Sequence, residues 1–127
     1  MTFQTYLVED SPVIRENLVD FLEDVADTHV VAHASTESEA VEWLRANPEG
    51  WDLALVDLFL EQGNGLAVVK ACRTRRRSQK VVVLSNYATA EMRVRAKALG
   101  ADAFFDKSSQ LEELAAYFDG LSRPALR

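Results

Sequence analysis

Five short apolar runs alternate with five segments of helical periodicity along this 127-residue chain, and this alternation strongly limits its fold. The runs are rich in Val, Leu and aromatic residues and alternate only weakly with polar ones, which is typical of strands buried on both faces. Strands are expected at residues 3–8, 28–35, 53–57, 80–84 and 102–105. Crossovers of this kind require a parallel sheet with helices on both faces. The sequence therefore predicts an α/β fold.

The intervening segments carry start and stop signals for helices. Ser11 and Pro12 suit the cap and first position of the first helix, and Thr36 or Ser38 can cap the second. Gly100 is a typical stop for the fourth helix. Helices are expected from residue 12, over 36–46, 65–76 and 88–99, and after a cap at Ser108. The result is a doubly wound, flavodoxin-like (βα)5 sheet, for which 2-1-3-4-5 is the common strand order.

Composition and charge set the broad class of protein. With 48% hydrophobic residues the chain is most simply one packed domain, residues 1–122, with a short tail at 123–127. The absence of a signal peptide and of an apolar run of about 20 residues predicts a cytoplasmic protein without membrane contact. A single cysteine, Cys72, excludes an internal disulfide. The net charge of −6, and a chain that ends at Arg127, predict no direct nucleic-acid binding.

Acidic and polar residues stand at the predicted carboxyl ends of four strands. Glu9 and Asp10 follow the first strand, and Asp57 ends the third. Ser85 follows the fourth and Lys107 the fifth. Ligands bind beyond the carboxyl ends of strands in such sheets, so these side chains are expected to converge. Two carboxylates about 5 Å apart repel by roughly 3 kcal/mol at an effective dielectric near 20, so three of them favour a bound cation, and oxygen ligands suit Mg²⁺.

Each of these residues also has an ordinary interpretation on its own. Glu9 and Asp10 precede a helix, whose dipole stabilises acids without any metal. Asp57 can begin a turn. Lys107 can be a surface lysine, and Ser85 a loop hydroxyl. Their joint placement, each at the matching end of its own strand, favours a common site.

The segments LVEDS, ALVDLFLEQGNGL, VVLSNYA and ALGADAFFDKSS resemble, in this order and spacing, the receiver domain of bacterial two-component response regulators, including the single-domain chemotaxis type. The resemblance covers about residues 3–121 and implies phosphorelay signalling rather than enzymatic turnover. Asp57 would be the phosphoacceptor, taking a phosphoryl group from a sensor histidine kinase or a histidine phosphotransfer protein. Mg²⁺, or Mn²⁺ as a substitute, would be bound by Asp10, Asp57 and the backbone carbonyl of Phe59. Glu9 would bind the metal directly or through water.

The resemblance also implies how the phosphoryl group is recognised. Lys107 would pair with one phosphoryl oxygen, and the Ser85 hydroxyl would donate to another and move towards it. Phe104 stands where the family often has a switching aromatic, and without a hydroxyl it can switch only sterically; plain core packing is the alternative. The signalling face would comprise the fourth helix, fifth strand and fifth helix, and would bind a downstream protein or a second copy.

Two bulky residues bear on the lifetime of the phosphorylated state. Phe59 and Tyr87 lie two residues beyond Asp57 and Ser85, where the family has residues that flank the path of the hydrolytic water. They are expected to shield the acyl-phosphate, unless their rings turn away and pack elsewhere. The Lys-Pro pair common in the family is replaced by Lys107-Ser108, which predicts a trans peptide bond because a cis bond before a non-proline costs about 2.5–4 kcal/mol.

Basic residues outside the site have mainly structural interpretations. The arginine run at 73–77 suits a solvated face at a helix end, with partner docking as the alternative. Arg93, Arg95 and Lys97 lie on the fourth helix, where partner docking is favoured more strongly.

Three other functions compete with the phosphoacceptor switch. A flavodoxin-like cofactor binder would need a phosphate loop where this chain has EDSPV, and an Asp-nucleophile phosphatase would need an acid at Phe59. A degenerate receiver that binds partners without phosphorylation would not need the complete set of Asp57, Ser85 and Lys107.

Overall fold

The computed structural model describes residues 2–122, and within them five parallel strands form one sheet in the order β2-β1-β3-β4-β5. The strands are β1 (Phe3–Val8), β2 (Thr28–Ala34), β3 (Leu53–Val56), β4 (Lys80–Ser85) and β5 (Ala103–Asp106). The helices between and after them are α1 (Pro12–Val25), α2 (Glu37–Ala46), α3 (Gly65–Ala71), α4 (Ala90–Ala98) and α5 (Leu111–Ser122). The predicted α/β fold and strand order are confirmed. The predicted tail at 123–127 lies outside the described residues.

Two apolar layers cover the two faces of the sheet. On one face Tyr6 and Val8 pack with residues of α2 and α3, whereas on the other Leu7 packs with Leu22 of α1 and Phe118 of α5. All four residues of β3 are buried, because both of its faces are covered. This explains why the strands appear in the sequence as continuous apolar runs. In the described part of the chain, no helix has the length and apolar character needed to span a membrane.

The helix starts follow the capping signals of the sequence. The Ser11 hydroxyl accepts the N–H of Ile14 at 3.3 Å, and Pro12 occupies the first turn of α1. Of the two candidates for α2, Thr36 is the cap, since its hydroxyl accepts the N–H of Glu39 at 3.2 Å. After α4 the chain turns through Gly100, whose φ of +110° favours glycine.

The third helix is shorter than predicted. The expected segment was 65–76, but α3 ends at Ala71. The Arg75 side chain donates to the carbonyls of Cys72 at 2.9 Å, Gln79 at 2.8 Å and Gly100 at 2.7 Å. These tertiary hydrogen bonds stabilise a turn where helix propensity alone favours further helix.

The prediction that Ser108 caps the last helix is wrong. The N–H and hydroxyl of Ser108 both donate to Asp106 Oδ1, at 2.8 Å and 2.6 Å. An aspartate that accepts bonds from the residue two positions on stabilises a turn, so α5 begins only at Leu111. The Lys107-Ser108 peptide bond is trans, as predicted.

Candidate functional site

Strand register determines where the acidic residues lie. Val8 of β1 pairs with Val56 of β3, so Glu9 and Asp57 leave adjacent strands at the same level. The N–H of Asp57 donates to the carbonyl of Val8 at 3.0 Å, and that of Glu9 to the carbonyl of Ala34 at 3.0 Å. The backbone on both sides of the site is therefore held by the sheet.

Glu9, Asp10 and Asp57 form an acidic cluster at the carboxyl ends of β1 and β3. One carboxylate oxygen from each residue lies within 4.8 Å of the others. Glu9 and Asp57 are buried, at 1% and 9% exposure, and Asp10 is half-buried. At 4.8 Å each pair of charges repels by about 3.5 kcal/mol at an effective dielectric of 20. Hard oxygen donors in a partly open site fit a divalent cation, which would relieve this repulsion.

Lys107 bridges the two buried carboxylates. Its Nζ lies 2.7 Å from Glu9 Oε1 and 3.3 Å from Asp57 Oδ2. Burial alone would lower the pKa of Lys107, but the hydrogen bond to Glu9 and the charges of Asp57 and Glu9 outweigh it and raise the pKa. Lys107 therefore supplies a full positive charge, which offsets part of the charge of the cluster.

Burial and two neighbouring charges act in opposite directions on the pKa of Asp57. Burial raises its pKa above the ordinary value; the charge of Lys107 lowers it, and the charge of Glu9 raises it further. Asp57 Oδ1 also accepts the N–H of Phe59 at 3.4 Å. An ionised carboxylate that is poorly solvated is a better nucleophile than one that water surrounds.

The other two acids are held by backbone N–H groups. Glu9 Oε2 accepts the N–H of Ser11 at 3.1 Å, at the start of α1. Asp10 Oδ2 accepts the N–H of Glu61 at 2.6 Å, from the loop between β3 and α3. No sequence signal indicates the contact with Glu61, because it depends on how that loop folds back over the strand ends.

Gly65 allows the loop after β3 to fold back. A Cβ at this position would lie 2.1 Å from the carbonyl oxygen of Asp57 and 2.6 Å from the Cα of Leu58. Both are backbone atoms and cannot move aside easily, so only glycine fits. Sequence reasoning did not assign Gly65 to the site, although the segment QGNGL contained the signal of a close backbone approach.

Ser85 is the last residue of β4 and is fully buried. Its hydroxyl accepts the N–H of Tyr87 at 3.0 Å, and its carbonyl accepts the N–H of Lys107 at 2.9 Å. Val56 pairs with Val83, so Ser85 lies one residue beyond the level of Asp57 on the neighbouring strand. Ser85 therefore lies beside the acidic cluster, where the convergence of the strand ends predicted it.

Phe59 and Tyr87 contact each other across the site. Their ring centroids are 4.6 Å apart at an angle of 60°, and the residues are 51% and 58% exposed. The rings thus pair with each other at the surface and do not enter the core. This pair connects the loop after Asp57 with the loop after Ser85.

Phe104 in β5 is half-buried and packs against the core that includes Val83. The Arg93 guanidinium lies 5.0 Å from the centre of its ring. Sequence reasoning placed Arg93, Arg95 and Lys97 on a face that would dock a partner, and this stays a prediction; the structure adds that the Arg93 side chain folds onto β5. The reason is tertiary, since acceptors on β5 and on the segment before α5 bind it.

The arginine run at 73–77 divides into two parts. Arg75 is mostly buried, and its guanidinium pairs with Asp102 at 2.7 Å. Its neighbours line an open groove of about 460 Å³ at the opposite edge of the sheet from the acidic cluster; the basic members are Arg73, Arg76, Arg77 and Lys80. The prediction of a solvated basic face therefore fails for Arg75, which has a structural role.

Residues 6–119 match the family model of the response regulator receiver domain. The chain belongs to this family, in agreement with its strand order and the position of its acidic cluster. It is 32% identical to the photosynthetic apparatus regulatory protein RegA of Cereibacter sphaeroides over 108 residues, which is 85% of this chain and 56% of RegA. It is 30% identical to the transcriptional activator DevR/DosR of Mycobacterium tuberculosis over 112 residues, or 88% of this chain and 51% of that protein.

Solved structures show the same relationship. The signal receiver domain of the response regulator NarL from Mycobacterium tuberculosis superposes with a TM-score of 0.80 at 26% identity, covering 96% of this chain and 98% of that domain. A response regulator from Burkholderia pseudomallei, solved with a phosphorylated aspartic acid, a calcium ion and citrate, gives 0.77 at 25% identity, covering 91% and 66%.

Family membership establishes the general class of function. A response regulator receiver domain acts in phosphorelay signalling, with a kinase or other phosphodonor as its partner, and is not a typical enzyme. The chain spans about half the length of the curated relatives, at 56% and 51% of their residues. DevR/DosR is described as DNA-binding, so the expected lack of nucleic-acid contact is not confirmed and stays a prediction for this domain.

Proposed function

We propose that this domain is a Mg²⁺-dependent phosphoacceptor switch with Asp57 as the acceptor. The observation that carries the proposal is the cluster of Glu9, Asp10 and Asp57, with carboxylate oxygens within 4.8 Å of one another and Lys107 bound to two of them. An Asp57 oxygen forms a bond to phosphorus as the P–N bond of the donor phosphohistidine breaks. The released imidazole nitrogen keeps the electron pair of that bond and takes up a proton from solvent.

The acids have separate roles in this proposal. Asp10, Asp57 and the carbonyl of Phe59 would hold the metal, with Glu9 as a direct or water-mediated ligand. Bound Mg²⁺, or Mn²⁺ in its place, would offset negative charge on the acceptor and the phosphoryl oxygens. The related Burkholderia protein, with its phosphorylated aspartic acid and calcium ion, supports this assignment.

Lys107 would recognise the phosphorylated product. Its Nζ lies 3.3 Å from Asp57 Oδ2, and its backbone N–H donates to the carbonyl of Ser85. On phosphorylation its ammonium would pair with a phosphoryl oxygen in place of the Asp57 oxygen. The charge pairing is kept, so Lys107 favours the phosphorylated state without leaving the site.

Ser85 would report the phosphoryl group to the signalling face. Its hydroxyl would donate to a phosphoryl oxygen, and the movement would bias a two-state equilibrium of α4, β5 and α5. Phe104 would follow by a steric change. The altered face would bind a downstream protein or a second copy of the domain with changed affinity.

The test is labelling by a small-molecule phosphodonor, followed by intact-mass measurement. Wild type is expected to gain one phosphoryl group in Mg²⁺ and none in excess EDTA. Asp57→Asn should remain unlabelled, while Asp20→Asn, which removes one exposed acid of α1, should label as wild type does. Labelling that persists in Asp57→Asn would refute Asp57 as the acceptor.

A further inference from the structure

Arg93 of α4 binds three separate parts of the chain. Its Nη1 donates to the carbonyl of Phe104 at 3.0 Å, and its guanidinium lies 5.0 Å from the centre of that ring. Nη2 donates to Gln110 Oε1 at 2.9 Å, just before α5. Nε lies 3.3 Å from the carbonyl of Ala88, in the loop that follows Ser85. One side chain thus joins α4 to β5, to the start of α5 and to the β4–α4 loop.

The apolar packing of α4 is weak by comparison. Of its nine residues, all within the described part of the chain, only Ala96 is buried. Val94 is 68% exposed, and Arg95 and Lys97 are exposed as well. Met92 is partly buried against the core, and an alanine buries little apolar area, so packing holds α4 less firmly than it holds α3, where four residues are buried. The polar and ring contacts of Arg93 are therefore a large share of what fixes α4 on the sheet.

The same contacts lie directly between the site and the signalling face. Gln110 Oε1, which binds Arg93, also accepts the N–H of Asp106 at 2.8 Å, next to Lys107. The loop carrying Ala88 begins after Ser85, whose hydroxyl accepts the N–H of Tyr87. Ser85 is thus linked to the acceptors of Arg93 in two ways. Its hydroxyl binds Tyr87 next to Ala88, and its carbonyl accepts the N–H of Lys107 at 2.9 Å, next to Asp106.

We propose that Arg93 is the positioning residue that holds α4 against β5 in the unphosphorylated protein and couples the β4–α4 loop, which follows Ser85, to Phe104. The coupling rests on the proposed function, whereas the holding does not. Phe104 lacks a hydroxyl, so a hydrogen bond from the ring cannot connect it with α4; the cation–π contact supplies that connection instead. Arginine suits this position because its planar guanidinium carries five donors in a fixed fork and can also lie on a ring, whereas a lysine ammonium is a compact point charge with three donors.

The holding role is tested by hydrogen exchange of the unphosphorylated protein. In Arg93→Met the amides of α4 are expected to exchange about tenfold faster than in wild type, since several hydrogen bonds to a charged group are lost. Amides of α2 should be unchanged, which separates local opening from general destabilisation. Arg95→Met, which removes an exposed arginine from the same helix, is the matched control and should leave α4 unchanged. Equal exchange of α4 in the two variants would overturn the proposal.

The coupling role is tested by repeating the exchange after phosphorylation. In wild type, phosphorylation should speed exchange in α4, and in Arg93→Met this difference should disappear although Asp57 still labels. Arg93→Lys should restore part of it, because a lysine keeps the contact with the ring but not the fork. A phosphorylation-dependent change in Arg93→Met as large as in wild type would refute the coupling. Absence of labelling in wild type would refute the proposed function instead, and the comparison of unphosphorylated variants would still decide the holding role.

If Arg93→Met does not fold, Phe104→Leu provides the second variant. Leucine keeps an apolar side chain against the core and removes the ring on which the guanidinium lies. Faster exchange confined to α4 supports the proposal, and wild-type exchange there contradicts it.

Discussion

Replacing Asp10 by asparagine should stabilise the metal-free domain and remove its response to Mg²⁺. Asn is nearly isosteric with Asp and keeps an oxygen that can accept the N–H of Glu61. The substitution removes one negative charge from the cluster while leaving its backbone support in place. Opposite effects are therefore expected in the absence and in the presence of the metal.

The magnitude follows from the distances in the cluster. Asp10 takes part in two of the repulsive pairs, with Glu9 and with Asp57, each with oxygens within 4.8 Å. Such a pair costs about 3.5 kcal/mol at an effective dielectric of 20 and about 0.9 kcal/mol in bulk water. Because Asp10 is half-exposed, the lower part of this range applies. The substitution also removes the attraction of Asp10 to Lys107 and to the start of α1, the latter about 0.3–1 kcal/mol, and this loss opposes the gain. The free energy of unfolding should therefore rise by about 1–2 kcal/mol.

Urea unfolding followed by tryptophan fluorescence measures this effect. Trp51 is buried and Trp43 stacks on Tyr6 with ring centroids 4.0 Å apart, so both indoles report the loss of the core. In EDTA the Asp10→Asn protein should unfold at higher urea than wild type. At Mg²⁺ one hundred times its dissociation constant, wild type should gain about 2.7 kcal/mol, and the variant should gain little.

Asp20→Asn is the matched control, because it changes the net charge equally at an exposed position of α1. It should leave both the stability in EDTA and the gain in Mg²⁺ within about 0.5 kcal/mol of wild type. An Asp10→Asn protein less stable than wild type in EDTA would refute the argument from charge repulsion. An undiminished gain in Mg²⁺ would refute Asp10 as a metal ligand.

Three further predictions concern the lifetime of the phosphorylated state, pH and the loop after β3. Phe59→Asn opens the aromatic pair and should speed dephosphorylation several-fold in a timed intact-mass assay; an unchanged or slower rate would contradict shielding. Burial raises the pKa of the Cys72 thiol to about 11. The folded state therefore keeps this proton where the unfolded chain loses it, and stability should fall by ~3 kcal/mol between about pH 9 and 11. Urea titrations should show that component missing in Cys72→Ala. Gly65→Ala should cost about 2–4 kcal/mol because its Cβ meets backbone, whereas Gly120→Ala in α5 meets nothing within 4 Å and should stabilise by about 0.5–1 kcal/mol.

The strands and the site could be predicted because both depend on short-range patterns. A strand buried on both faces must be apolar along its length, and a parallel sheet must bring the carboxyl ends of its strands to one edge. Glu9, Asp57 and Ser85 were located by that rule alone. The structure adds the register, which places Glu9 level with Asp57.

The failures have the opposite origin, in side chains whose partners are distant in sequence. Arg75 ends α3 early because it binds Gly100 and Asp102, residues 25 and 27 positions away. Arg93 turns inward because its acceptors belong to β5 and to Gln110. The sequence predicts a solvated face for the run that contains Arg75 and a docking face for the helix that contains Arg93, and nothing local indicates which way a long side chain will fold. Ser108 is different, since Asp106 lies only two residues away; a local turn competed with the cap and was the more stable of the two.

The contacts of Lys107 explain how the site tolerates three acids before a metal binds. Its shorter contact, 2.7 Å, is with Glu9, the most deeply buried acid, and the longer one, 3.3 Å, is with Asp57. Glu9 would be costly to bury without a partner, since an unpaired charge in the interior loses its hydration. Asp57 is compensated less completely, so that burial, with the charge of Glu9, still raises its pKa. The charge of the cluster is thus least balanced at Asp57 and at the half-exposed Asp10. A cation that entered from the solvent side would gain most from those two oxygens, and Lys107 would remain free to hold Glu9 and to recognise the phosphoryl group.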